Sequence, residues 1–406
     1  MIRKIKKYLY HLPKAIFWNY ITHFPHKKLV LIGVTGTDGK TTTCVLIQNI
    51  LQNAGYKVGI ISTIHSPGLH TTSPEPKILM GLFSQFIKQG CTHVVCEVTS
   101  HSLDQFRYWG CQFKVSVLTN ISHEHLDYHH TMKQYMKAKS LLFDRSDIAI
   151  LNADCQYYSD FTKIINKKAI TYGVSPKSNI LAKKVKITDK YLSFVVDKSI
   201  FITDSNYRYQ LSNILAALSV CRQFNIPDKH TIDTIKTFPT TTGRRQEVEN
   251  QHAIKTIVDF AHTPNALLQT LSSLKQNTKG KLICIFGATG GRDVTKRPIM
   301  GQVVSQNCDI AIVTADDTRN ENVVDINQQI ISGFDKKFIK NKKFTFYDIP
   351  NRQDAFNLAV KLAKSGDTIV ACGKGHETSI LHGNTEYPWS ESDAFLTAFR
   401  IKDQNV

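Results

Sequence analysis

The residues best suited to chemistry stand in a short loop rich in glycine and threonine, residues 35–42, which contains Gly39-Lys40-Thr41. Backbone N–H groups in such a loop, and at the start of a following helix, can bind phosphate. The Lys40 ammonium can neutralise phosphate charge, and the Thr41 hydroxyl can coordinate Mg²⁺. The loop therefore predicts a site for ATP or GTP, although a structural turn that binds no nucleotide is the alternative.

The spacing of this loop differs from the general phosphate-binding pattern G-x-x-x-x-G-K-[ST], because Val34 stands where the first glycine is expected. The shorter form present here, T-G-T-x-G-K-T-T, is a more restrictive pattern than the general one, so a match to it says more about function. The loop residues predicted to contact ATP are Gly36, Thr37, Asp38, Gly39, Lys40, Thr41 and Thr42.

Charged side chains elsewhere could bind a metal or a substrate. A carboxylate at the end of a buried strand, such as Glu97, is costly unless a cation lies beside it, so Glu97 could bind Mg²⁺ or pair with Arg107. Arg319 can hold a carboxylate through two hydrogen bonds and Glu377 can accept one from an ammonium, so together they suit a zwitterion. The histidines of residues 119–129, considered alone, would suggest a zinc site.

Alternating strand and helix patterns must position these side chains. An apolar run at 28–33 predicts a strand before the loop, and helical spacing over 41–54 predicts a helix after it. Similar pairs recur, so a mainly parallel sheet with helices on both faces is expected. The further strands are predicted at 58–61, 93–98, 115–118 and 148–151, and helices at 78–88 and 132–143.

The pattern changes over residues 169–202 to short alternating pieces, which predict a small antiparallel addition followed by a helix at 211–224. A second α/β series begins after residue 239. Its strands are predicted near 254–259, 282–286, 310–314, 344–347 and 368–371, and its helices at 265–274, 297–306 and 353–364. The fold class is therefore α/β, with a central domain like the phosphate-loop ATPases and a Rossmann-like C-terminal domain.

The composition limits the classes of partner. The net charge of +18 arises from 51 basic and 33 acidic residues, but no basic-aromatic stripe appears, so we expect a lysine-rich surface and no nucleic-acid partner. Such a surface would also attract anionic phosphorylated substrates. The nine cysteines lack a C-x-x-C pair, which indicates reduced thiols in the cytoplasm and no zinc site of that type.

Residues 1–28 form a basic segment with seven Lys or Arg and no acid. Apolar residues are interspersed with the charges, but no uninterrupted run could cross a membrane and no signal-peptide cleavage pattern occurs. The segment predicts either a weak contact with the inner membrane surface through a basic amphipathic helix or a helix packed on the following domain.

From about residue 28 to the C-terminus, several motifs occur in an order that resembles the Mur ligase family. Residues 97–107, 119–129 and 135–143 are similar to E-V-S-S-H-x-L-x-Q-x-R, T-N-L-S-x-D-H-L-D-Y-H and Y-x-x-A-K-x-L-L-F. Residues 259–264 and 373–377 are similar to D-Y-A-H-T-P and G-K-G-H-E. The branch that adds diaminopimelate is the most similar.

The resemblance implies an enzyme of peptidoglycan precursor synthesis that uses ATP and Mg²⁺. It would form an amide bond through an acyl phosphate, adding an amino acid, meso-diaminopimelate, to UDP-MurNAc-L-Ala-D-Glu. It also implies three segments: residues 1–27 as a basic N-terminal segment, 28–238 as the ATP-binding domain, and 239–406 as the domain that binds the incoming amino acid.

The resemblance also assigns roles to single residues. Lys40, His125 and Lys139 are the implied catalytic residues, and Lys139 is expected to be carbamylated by CO₂. The implied metal ligands are Thr41, Glu97, His125 and Lys139. The implied contacts to the muramyl peptide are Thr71, Thr72, Thr99, Gln105 and Arg107. Asn213, Arg244 and Asp259 complete the ATP site, and the amino acid would meet Arg292, Asp316, Asp317, Thr318, Arg319, Gly373 and Glu377.

Three features depart from the family pattern. Asp317-Thr318 replaces Asn-Pro of the family's D-N-P-R, and the added anion could repel a substrate carboxylate. Gln210 replaces an asparagine in the family's F-N-x-x-N. The alternative to a role of this region in the ATP site is that Ser212 or Asn213 caps the N-terminus of the predicted helix. Only residues 1–27 precede the first strand, where the family usually has a uridine-nucleotide-binding domain, so the nucleotide end of the substrate is held differently or the substrate differs.

Two other functions compete with this interpretation. A ligase of the folylpolyglutamate or cyanophycin type would share Lys40, Glu97, His125 and Lys139 but would not need Arg319 or Glu377. A non-catalytic nucleotide-binding scaffold at the membrane would need no amino acid at all. Phosphate release that depends on an amino acid would separate an enzyme from a scaffold.

Overall fold

A computed structural model describes residues 5–63, 73–165, 167–188, 190–204, 207–238 and 243–404. The chain divides into two compact units. The first contains residues 1–122 and 131–238, and the second contains residues 123–130 and 239–406. Segment 123–130 therefore groups with the C-terminal part of the chain, although it is flanked in sequence by the first unit.

The first unit is built on seven parallel strands. These are β1 (Val30–Thr35), β2 (Val58–Ile61), β3 (His93–Glu97), β4 (Phe113–Leu118), β5 (Ser146–Asn152), β6 (Ala169–Gly173) and β7 (Ile180–Leu181). They lie in the order β2-β3-β1-β4-β5-β6-β7, and each neighbouring pair is parallel. The predicted parallel sheet is confirmed, and β1 leads directly into the phosphate loop.

Helices cover both faces of this sheet, as expected. Alternate residues of β1 point to opposite sides, so Ile32 and Val34 pack with one core and Leu31 packs with the other. Helices α2 (Lys40–Asn53) and α8 (Arg208–Arg222) contribute to the first core, and α3 (Pro76–Lys88) and α6 (Met132–Phe143) contribute to the second. The helices up to residue 238 are α1 (Leu12–Ile21), α2 (Lys40–Asn53), α3 (Pro76–Lys88), α4 (Ser100–Asp104), α5 (Leu126–His129), α6 (Met132–Phe143), α7 (Tyr158–Ile164), α8 (Arg208–Arg222) and α9 (Asp228–Lys236).

The antiparallel addition is smaller than the sequence predicted. It contains β8 (Lys183–Ile187), β9 (Leu192–Val196) and β10 (Ser199–Thr203), in the order β10-β9-β8. The prediction that the change begins at residue 169 was wrong, because β6 and β7 extend the parallel sheet. These strands are short and lie at the sheet edge, so their sequences lack the long apolar runs of central parallel strands.

The second unit contains another α/β sheet in the order β11-β12-β16-β13-β14-β15. Only the β11–β12 pair is antiparallel, and a separate hairpin joins β17 to β18. The strands are β11 (Gln246–Val248), β12 (Lys255–Asp259), β13 (Leu282–Phe286), β14 (Ile310–Val313), β15 (Thr345–Asp348), β16 (Thr368–Cys372), β17 (Ser379–His382) and β18 (Thr385–Pro388). The helices are α10 (Pro264–Asn277), α11 (Lys296–Asn307), α12 (Val323–Ile331), α13 (Lys336–Lys340), α14 (Arg352–Leu362) and α15 (Glu391–Gln404).

Separate cores form on the two faces of this second sheet, one with α10, α11 and α12 and the other with α14 and α15. This arrangement agrees with the predicted Rossmann-like class. The loops that follow β13, β14 and β16 hold the residues predicted to bind the amino acid. Loops after parallel strands meet at one edge of a sheet, which is where such folds bind ligands.

Candidate active site

The phosphate loop runs from the end of β1 to the start of α2 and requires glycine at two positions. Gly36 has φ 153°, and a Cβ atom there would overlap Oγ1 of Thr119. Gly39 has φ 78°, and a Cβ atom there would lie 2.5 Å from Oδ1 of Asn213. Both the backbone conformation and the close neighbours exclude a side chain. Asn213 therefore lies directly against the loop, as its predicted place in the ATP site requires.

The segment after β4 holds the loop in place through hydrogen bonds. Thr37 N donates to Asn120 O at 2.9 Å, and Asp38 N donates to Asn120 Oδ1 at 2.9 Å. Thr119 Oγ1 donates to Asp38 O at 2.7 Å. Thr119 and Asn120 belong to the motif of residues 119–129, but the sequence predicts no role for either. Their side chains fix the loop before any ligand arrives.

Lys40 and Thr41 stand at the first turn of α2. Lys40 Nζ donates to Thr37 O at 2.8 Å, so the ammonium already lies over the loop. Thr41 Oγ1 donates to Glu97 Oε2 at 2.9 Å. The start of α2 therefore combines a cation, a hydroxyl and backbone donors in the arrangement that binds phosphate.

Glu97 ends β3 and is buried, with 2% of its surface exposed. Besides Thr41, its Oε2 accepts hydrogen bonds from the N and Oγ1 of Thr63, at 3.1 and 3.2 Å. No Lys, Arg or His in the described ranges forms an ion pair with it, so the alternative of a pair with Arg107 is not observed. Within the described ranges, the donors to this buried carboxylate are neutral, which suits a hard cation such as Mg²⁺.

The zinc alternative for residues 119–129 lacks the cluster that it requires. Among the residues that the structure describes, no three His, Cys, Asp or Glu side chains are grouped as metal ligands. The ligand set implied for Mg²⁺ differs, since it includes a threonine hydroxyl and a modified lysine. Glu97 and Thr41 are the members of that set that the structure brings into contact.

Lys139 is almost fully buried in α6, so it is not a surface lysine. Its Nζ donates to Gly36 O at 2.7 Å and lies 4.5 Å from the centre of the Tyr135 ring. The Tyr135 hydroxyl in turn lies 3.1 Å from Thr37 Oγ1. Lys139 therefore reaches the phosphate loop directly, whereas its neighbour Lys137 is exposed.

The residues predicted to contact the muramyl peptide lie around α4. Thr99 caps this helix, because its Oγ1 accepts a hydrogen bond from Ser102 N at 3.2 Å. Arg107 donates to Gln105 Oε1 at 3.1 and 2.8 Å and to the carbonyl of Ser73. These hydrogen bonds orient Gln105 and Arg107 together, directly after α4 in the sequence, and α4 in turn follows Glu97. Thr71 and Thr72 lie outside the described residues.

Asn213 and Gln210 lie inside α8, which starts at Arg208, so the N-cap alternative for Ser212 or Asn213 was wrong. Thr43 Oγ1 donates to Asn213 Oδ1 at 3.4 Å, and Asn213 Nδ2 donates to Gln210 Oε1 at 3.4 Å. Gln210 therefore orients the asparagine amide, although it departs from the family residue.

Segment 123–130, which carries His125, is fastened within the second unit. Lys296 Nζ lies 3.0 and 3.3 Å from the two carboxylate oxygens of Glu124, and both side chains are buried. Leu126 N donates to Asp293 Oδ2 at 3.1 Å. His125 itself adopts φ 59°, its side chain is about one-third exposed, and its Nδ1 lies 4.0 Å from Glu124 Oε1. Sequence reasoning missed Lys296 and Glu124, because an ion pair between distant segments leaves no local pattern.

Arg244 and Asp259, which are predicted to complete the ATP site, lie beside Phe260 in the second unit. The Arg244 guanidinium lies 4.4 Å from the Phe260 ring centre, and its buried Nε has no hydrogen-bond partner among the described residues. Asp259 accepts from Arg245 N at 2.9 Å and Ala261 N at 2.8 Å. Burial raises the pKa of Asp259 despite the nearby arginines. Arg244 therefore has unused donor capacity, while Asp259 already binds the backbone.

The predicted amino-acid residues converge in the second unit. Arg319 lies beside Gly291, with its Cδ 3.6 Å from the position of a Gly291 Cβ, and its charge reaches Arg292. Burial and then the charge of Arg319 lower the pKa of Arg292. The buried Nε of Arg319 has no hydrogen-bond partner among the described residues. Two guanidiniums whose charges repel one another favour a bound anion such as a carboxylate.

A buried lysine balances the acids of the same cluster. Lys374 Nζ lies 2.8 Å from Asp317 Oδ1 and 2.6 Å from Glu377 Oε2. Burial disfavours the charge of Lys374, but Asp316, Glu377 and Asp317 together raise its pKa. Burial raises the pKa of Glu377 to about 7, against the opposing effect of Lys374. The extra anion at Asp317 is therefore balanced by Lys374 and by a 2.9 Å hydrogen bond from Leu381 N.

The β17–β18 hairpin fixes the residues that follow Asp317. Thr318 Oγ1 lies 2.9 Å from His382 Nδ1. Arg319 N donates to Leu381 O at 3.2 Å, and Gly383 N donates to Arg319 O at 2.7 Å. These bonds hold Arg319 at φ 51°, a conformation that is unfavourable for arginine. The sequence predicts no role for Lys374 or His382, although Lys374 belongs to the G-K-G-H-E motif of residues 373–377.

Comparisons with known proteins agree with this arrangement. The Mur ligase middle domain matches residues 34–221, and the Mur ligase glutamate ligase domain matches residues 243–375. A protein of Clostridium acetobutylicum named UDP-N-acetylmuramoyl-L-alanyl-D-glutamate--2,6-diaminopimelate ligase 1 is 35% identical over 390 residues, which are 91% of this chain and 78% of that protein. A Bacillus cereus protein named as a ligase of the same kind is 33% identical, over 93% of this chain and 80% of its own.

Solved structures show the same fold. A 2,6-diaminopimelate ligase structure has a TM-score of 0.62 and 26% identity, and the match covers 96% of this chain and 83% of that one. The folylpolyglutamate synthase of Mycobacterium tuberculosis has a TM-score of 0.70 at 15% identity, over 89% of this chain and 92% of that one, and shares the fold alone. The two family domains follow one another along the chain, and the relatives are similar over about nine-tenths of its length. This chain therefore belongs to the Mur ligase family.

Proposed function

We propose that this chain adds meso-diaminopimelate to UDP-MurNAc-L-Ala-D-Glu in an ATP-dependent reaction of peptidoglycan precursor synthesis. Its family is composed of ATP- and magnesium-dependent ligases that form amide bonds, so the reaction class follows from membership. The observation that carries the choice of amino acid is the cluster in the second unit. Arg292 and Arg319 offer two guanidiniums to a carboxylate, and Glu377 offers an acceptor to an ammonium.

The first half of the reaction would take place at the phosphate loop. A carboxylate of the muramyl peptide attacks the γ-phosphorus of ATP, ADP leaves and an acyl phosphate forms. Lys40 and the backbone donors of the loop hold the phosphates in line for this attack. Mg²⁺, when bound, would neutralise the phosphate charge, and Thr41, Glu97 and His125 are its proposed ligands.

The second half would form the amide. The amine of the incoming amino acid attacks the acyl carbon, a C–N bond forms, the C–O bond to phosphate breaks, and phosphate and a proton leave. Arg292, Arg319 and Glu377 contribute by positioning the amino acid. An amine that is held in line with the acyl carbon attacks it far faster than a freely diffusing one.

We further propose that Lys139 carries a carbamate. Its uncharged amine would attack CO₂, forming an N–C bond with loss of a proton, so that a buried cation becomes an anion suited to a metal. Labelled bicarbonate would test this by ¹³C NMR. We expect a carbamate signal in the wild type and in Lys137→Ala, and none in Lys139→Ala. A spectrum of Lys139→Ala that matches the wild type would refute the assignment.

The alternative within the same superfamily is a glutamate-adding ligase of the folylpolyglutamate or cyanophycin type. The fold of folylpolyglutamate synthase is shared, but fold alone does not specify the substrate. The charge-balanced cluster around Arg319 favours an amino acid with a distal carboxylate and ammonium. A non-catalytic scaffold is disfavoured because Glu97 and Lys139 each contact the phosphate loop, through Thr41 and Gly36.

We place the protein in the cytoplasm with small-molecule substrates as its partners. All nine cysteines are free and eight of them are buried, which fits a reducing compartment. No described helix is long and apolar enough to span a membrane.

The proposal is tested by mass spectrometry of the products formed from UDP-MurNAc-L-Ala-D-Glu, ATP and single amino acids. We expect one amide product with meso-diaminopimelate and little or none with lysine or glutamate. Product with glutamate alone would assign the chain to the alternative class. ATP consumption that no amino acid changes would indicate a scaffold.

A further inference from the structure

The N-terminal helical segment presents an apolar face to solvent. Residues 5–21 are helical throughout, with a π-helical turn at Lys7–His11 followed by α1. Large apolar and aromatic side chains recur three or four residues apart along one side. We call this set the outer stripe: Leu9 (76% exposed), Tyr10 (50%), Phe17 (55%), Tyr20 (62%) and Ile21 (56%), with the exposed Pro13 between them.

The opposite side of α1 attaches the helix to the first unit. Ala15 and Asn19 are fully buried, and Asn19 Nδ2 donates to Ala15 O at 2.9 Å. His26 Nε2 lies 2.9 Å from Asn19 Oδ1, and these two atoms lie 3.5 and 3.4 Å from the position of a Gly110 Cβ, which brings α1 against the body of the first unit. The segment is therefore anchored by a face that does not include the outer stripe. Since packing on the domain leaves the outer stripe uncovered, its apolar character needs another explanation.

Lysines surround the outer stripe at short distances from aromatic rings. Lys14 Nζ lies 5.4 Å from the Tyr10 ring centre. Lys77 Nζ lies 5.2 Å from the ring of Trp18, which packs 5.4 Å from the Phe17 ring. Lysine stems can cover apolar surface while their ammonium groups reach toward a polar layer.

The same rim continues beyond the end of α1. Lys27 Nζ lies 4.5 Å from the Phe24 ring, which packs 5.0 Å from Tyr20. Lys6 and Lys28 are exposed in the same segment.

Nearby acids offset only part of this positive charge. Residues 5–28 contain no Asp or Glu. The neighbouring carboxylates are already paired, Asp104 with Lys7 at 2.8 Å and Glu75 with Lys14. These pairs offset the charges of Lys7 and Lys14, but Lys6, Lys27, Lys28 and Lys77 are exposed, so a partner would meet an apolar strip with a net basic rim. A surface of densely packed anionic groups above an apolar layer complements both features at once.

We propose that the outer stripe and its lysine rim bind the surface of an anionic phospholipid bilayer. The apolar and aromatic side chains enter the boundary between headgroups and acyl chains, and the lysines contact lipid phosphates. The helix lies in the plane of the interface, since its other side stays packed on the first unit. This inference does not depend on which amino acid the enzyme adds.

The test is sedimentation of the full chain with vesicles of equal parts phosphatidylglycerol and phosphatidylcholine, compared with vesicles of phosphatidylcholine alone. We expect binding to the anionic vesicles that weakens as salt rises, and weak binding to the neutral ones. Changing Lys6→Glu and Lys27→Glu together should lower affinity about tenfold or more, since each lysine near an anionic surface contributes about fivefold. Lys279→Glu with Lys281→Glu, an exposed pair in the second unit, is the charge-matched control and should bind like the wild type.

A second pair of variants tests the apolar contribution. Leu9→Ser with Phe17→Ser should reduce vesicle binding severalfold while circular dichroism and ligase activity without vesicles stay unchanged. Ile200→Ser with Ile202→Ser removes two exposed apolar side chains from β10 and should bind normally.

Three outcomes would overturn the inference. Equal binding to neutral and anionic vesicles would remove the role of the lysines. Binding that survives both stripe and lysine variants would place the contact elsewhere. A dimer in light scattering that Leu9→Ser with Phe17→Ser converts to a monomer would show that a second copy covers the outer stripe instead.

Discussion

Single charged residues of the second unit control how the candidate site responds to protons. Glu377 is the sharpest case, because burial raises its pKa to about 7 while Lys374 lies 2.6 Å from its Oε2. Below that pH the folded protein holds Glu377 as a neutral acid, and above it as a carboxylate. Only the carboxylate can pair with a substrate ammonium.

The specificity constant kcat/KM for the amino acid should therefore rise with pH through about 7 and then level off. The variant Glu377→Gln should lose this rise and show weaker binding at alkaline pH, because the amide cannot gain charge. The exposed Glu249→Gln serves as the control and should keep the wild-type profile. An unchanged pH profile in Glu377→Gln would contradict the assigned role.

Lys40 should be essential for turnover, because its ammonium is the cation that the first turn of α2 directs over the phosphate loop. We expect Lys40→Ala to lower kcat by about 100-fold or more, the scale seen when one charge-stabilising donor is removed. The exposed Lys57→Ala should retain activity. Near-normal turnover of Lys40→Ala, measured as phosphate release, would show that the loop does not serve ATP.

The sequence predicted which side chains carry charge at the site but not how those charges are balanced. Glu97 and Lys139 were identified through motifs, and the contact of each with the loop agrees with the proposed roles. The pairing of Lys374 with Asp317 could not be predicted, since it joins loops after two different strands. Long-range partners depend on strand order, which local patterns do not contain.

At the scale of elements, one buried ion pair holds the loops after β14 and β16 together. Arg352 in α14 lies 2.8 and 3.0 Å from the carboxylate oxygens of Glu391, and neither residue is exposed by more than 3%. The same guanidinium donates to Ala315 O at 2.8 Å and Cys372 O at 3.1 Å. Those carbonyls immediately precede Asp316 and Gly373 of the candidate amino-acid site.

Arg352→Ala should destabilise the second unit by about 3–5 kcal/mol, because it leaves Glu391 as a buried charge without its cation. Urea unfolding followed by fluorescence would measure the change. Arg352→Met with Glu391→Leu removes both charges and should recover part of the loss. If the double variant is no more stable than Arg352→Ala, the loss of stability is not caused by the unpaired charge of Glu391.

Periodicity predicted most elements but failed at the sheet edge. Strand β13 and helix α6 have their predicted bounds, since long runs with one period specify them. Strands β6 and β7 were assigned to the antiparallel addition, because short edge strands have similar sequences whichever direction they pair. The crossover through α7 joins β5 to β6 and makes that pair parallel, which is a tertiary feature.

At the scale of the whole molecule, the chain leaves the first unit after Ser122 and returns at Thr131. The buried Glu124–Lys296 ion pair fixes the intervening segment, with His125, within the second unit. The position of a proposed metal ligand therefore depends on a lysine distant in sequence. Pattern reasoning placed the segment in the central domain, because its sequence neighbours belong there.

Lys296→Met should lower the stability of the second unit by about 3–5 kcal/mol, because Glu124 would lose its buried partner. It should also lower kcat, since His125 is no longer held in place. Thermal unfolding and phosphate release would measure the two effects. Lys281→Met, at an exposed position of the same unit, is the matched control, and equal behaviour of the two variants would disprove the fastening role.

The central claim is that this chain makes an amide from a muramyl peptide carboxylate through an acyl phosphate. Labelling that carboxylate with ¹⁸O tests it directly, because the oxygen that attacks ATP remains on phosphorus when the amine displaces phosphate. We predict one labelled oxygen in each phosphate released, in step with product formed from meso-diaminopimelate. Unlabelled phosphate would mean that water, and not the substrate carboxylate, attacks ATP.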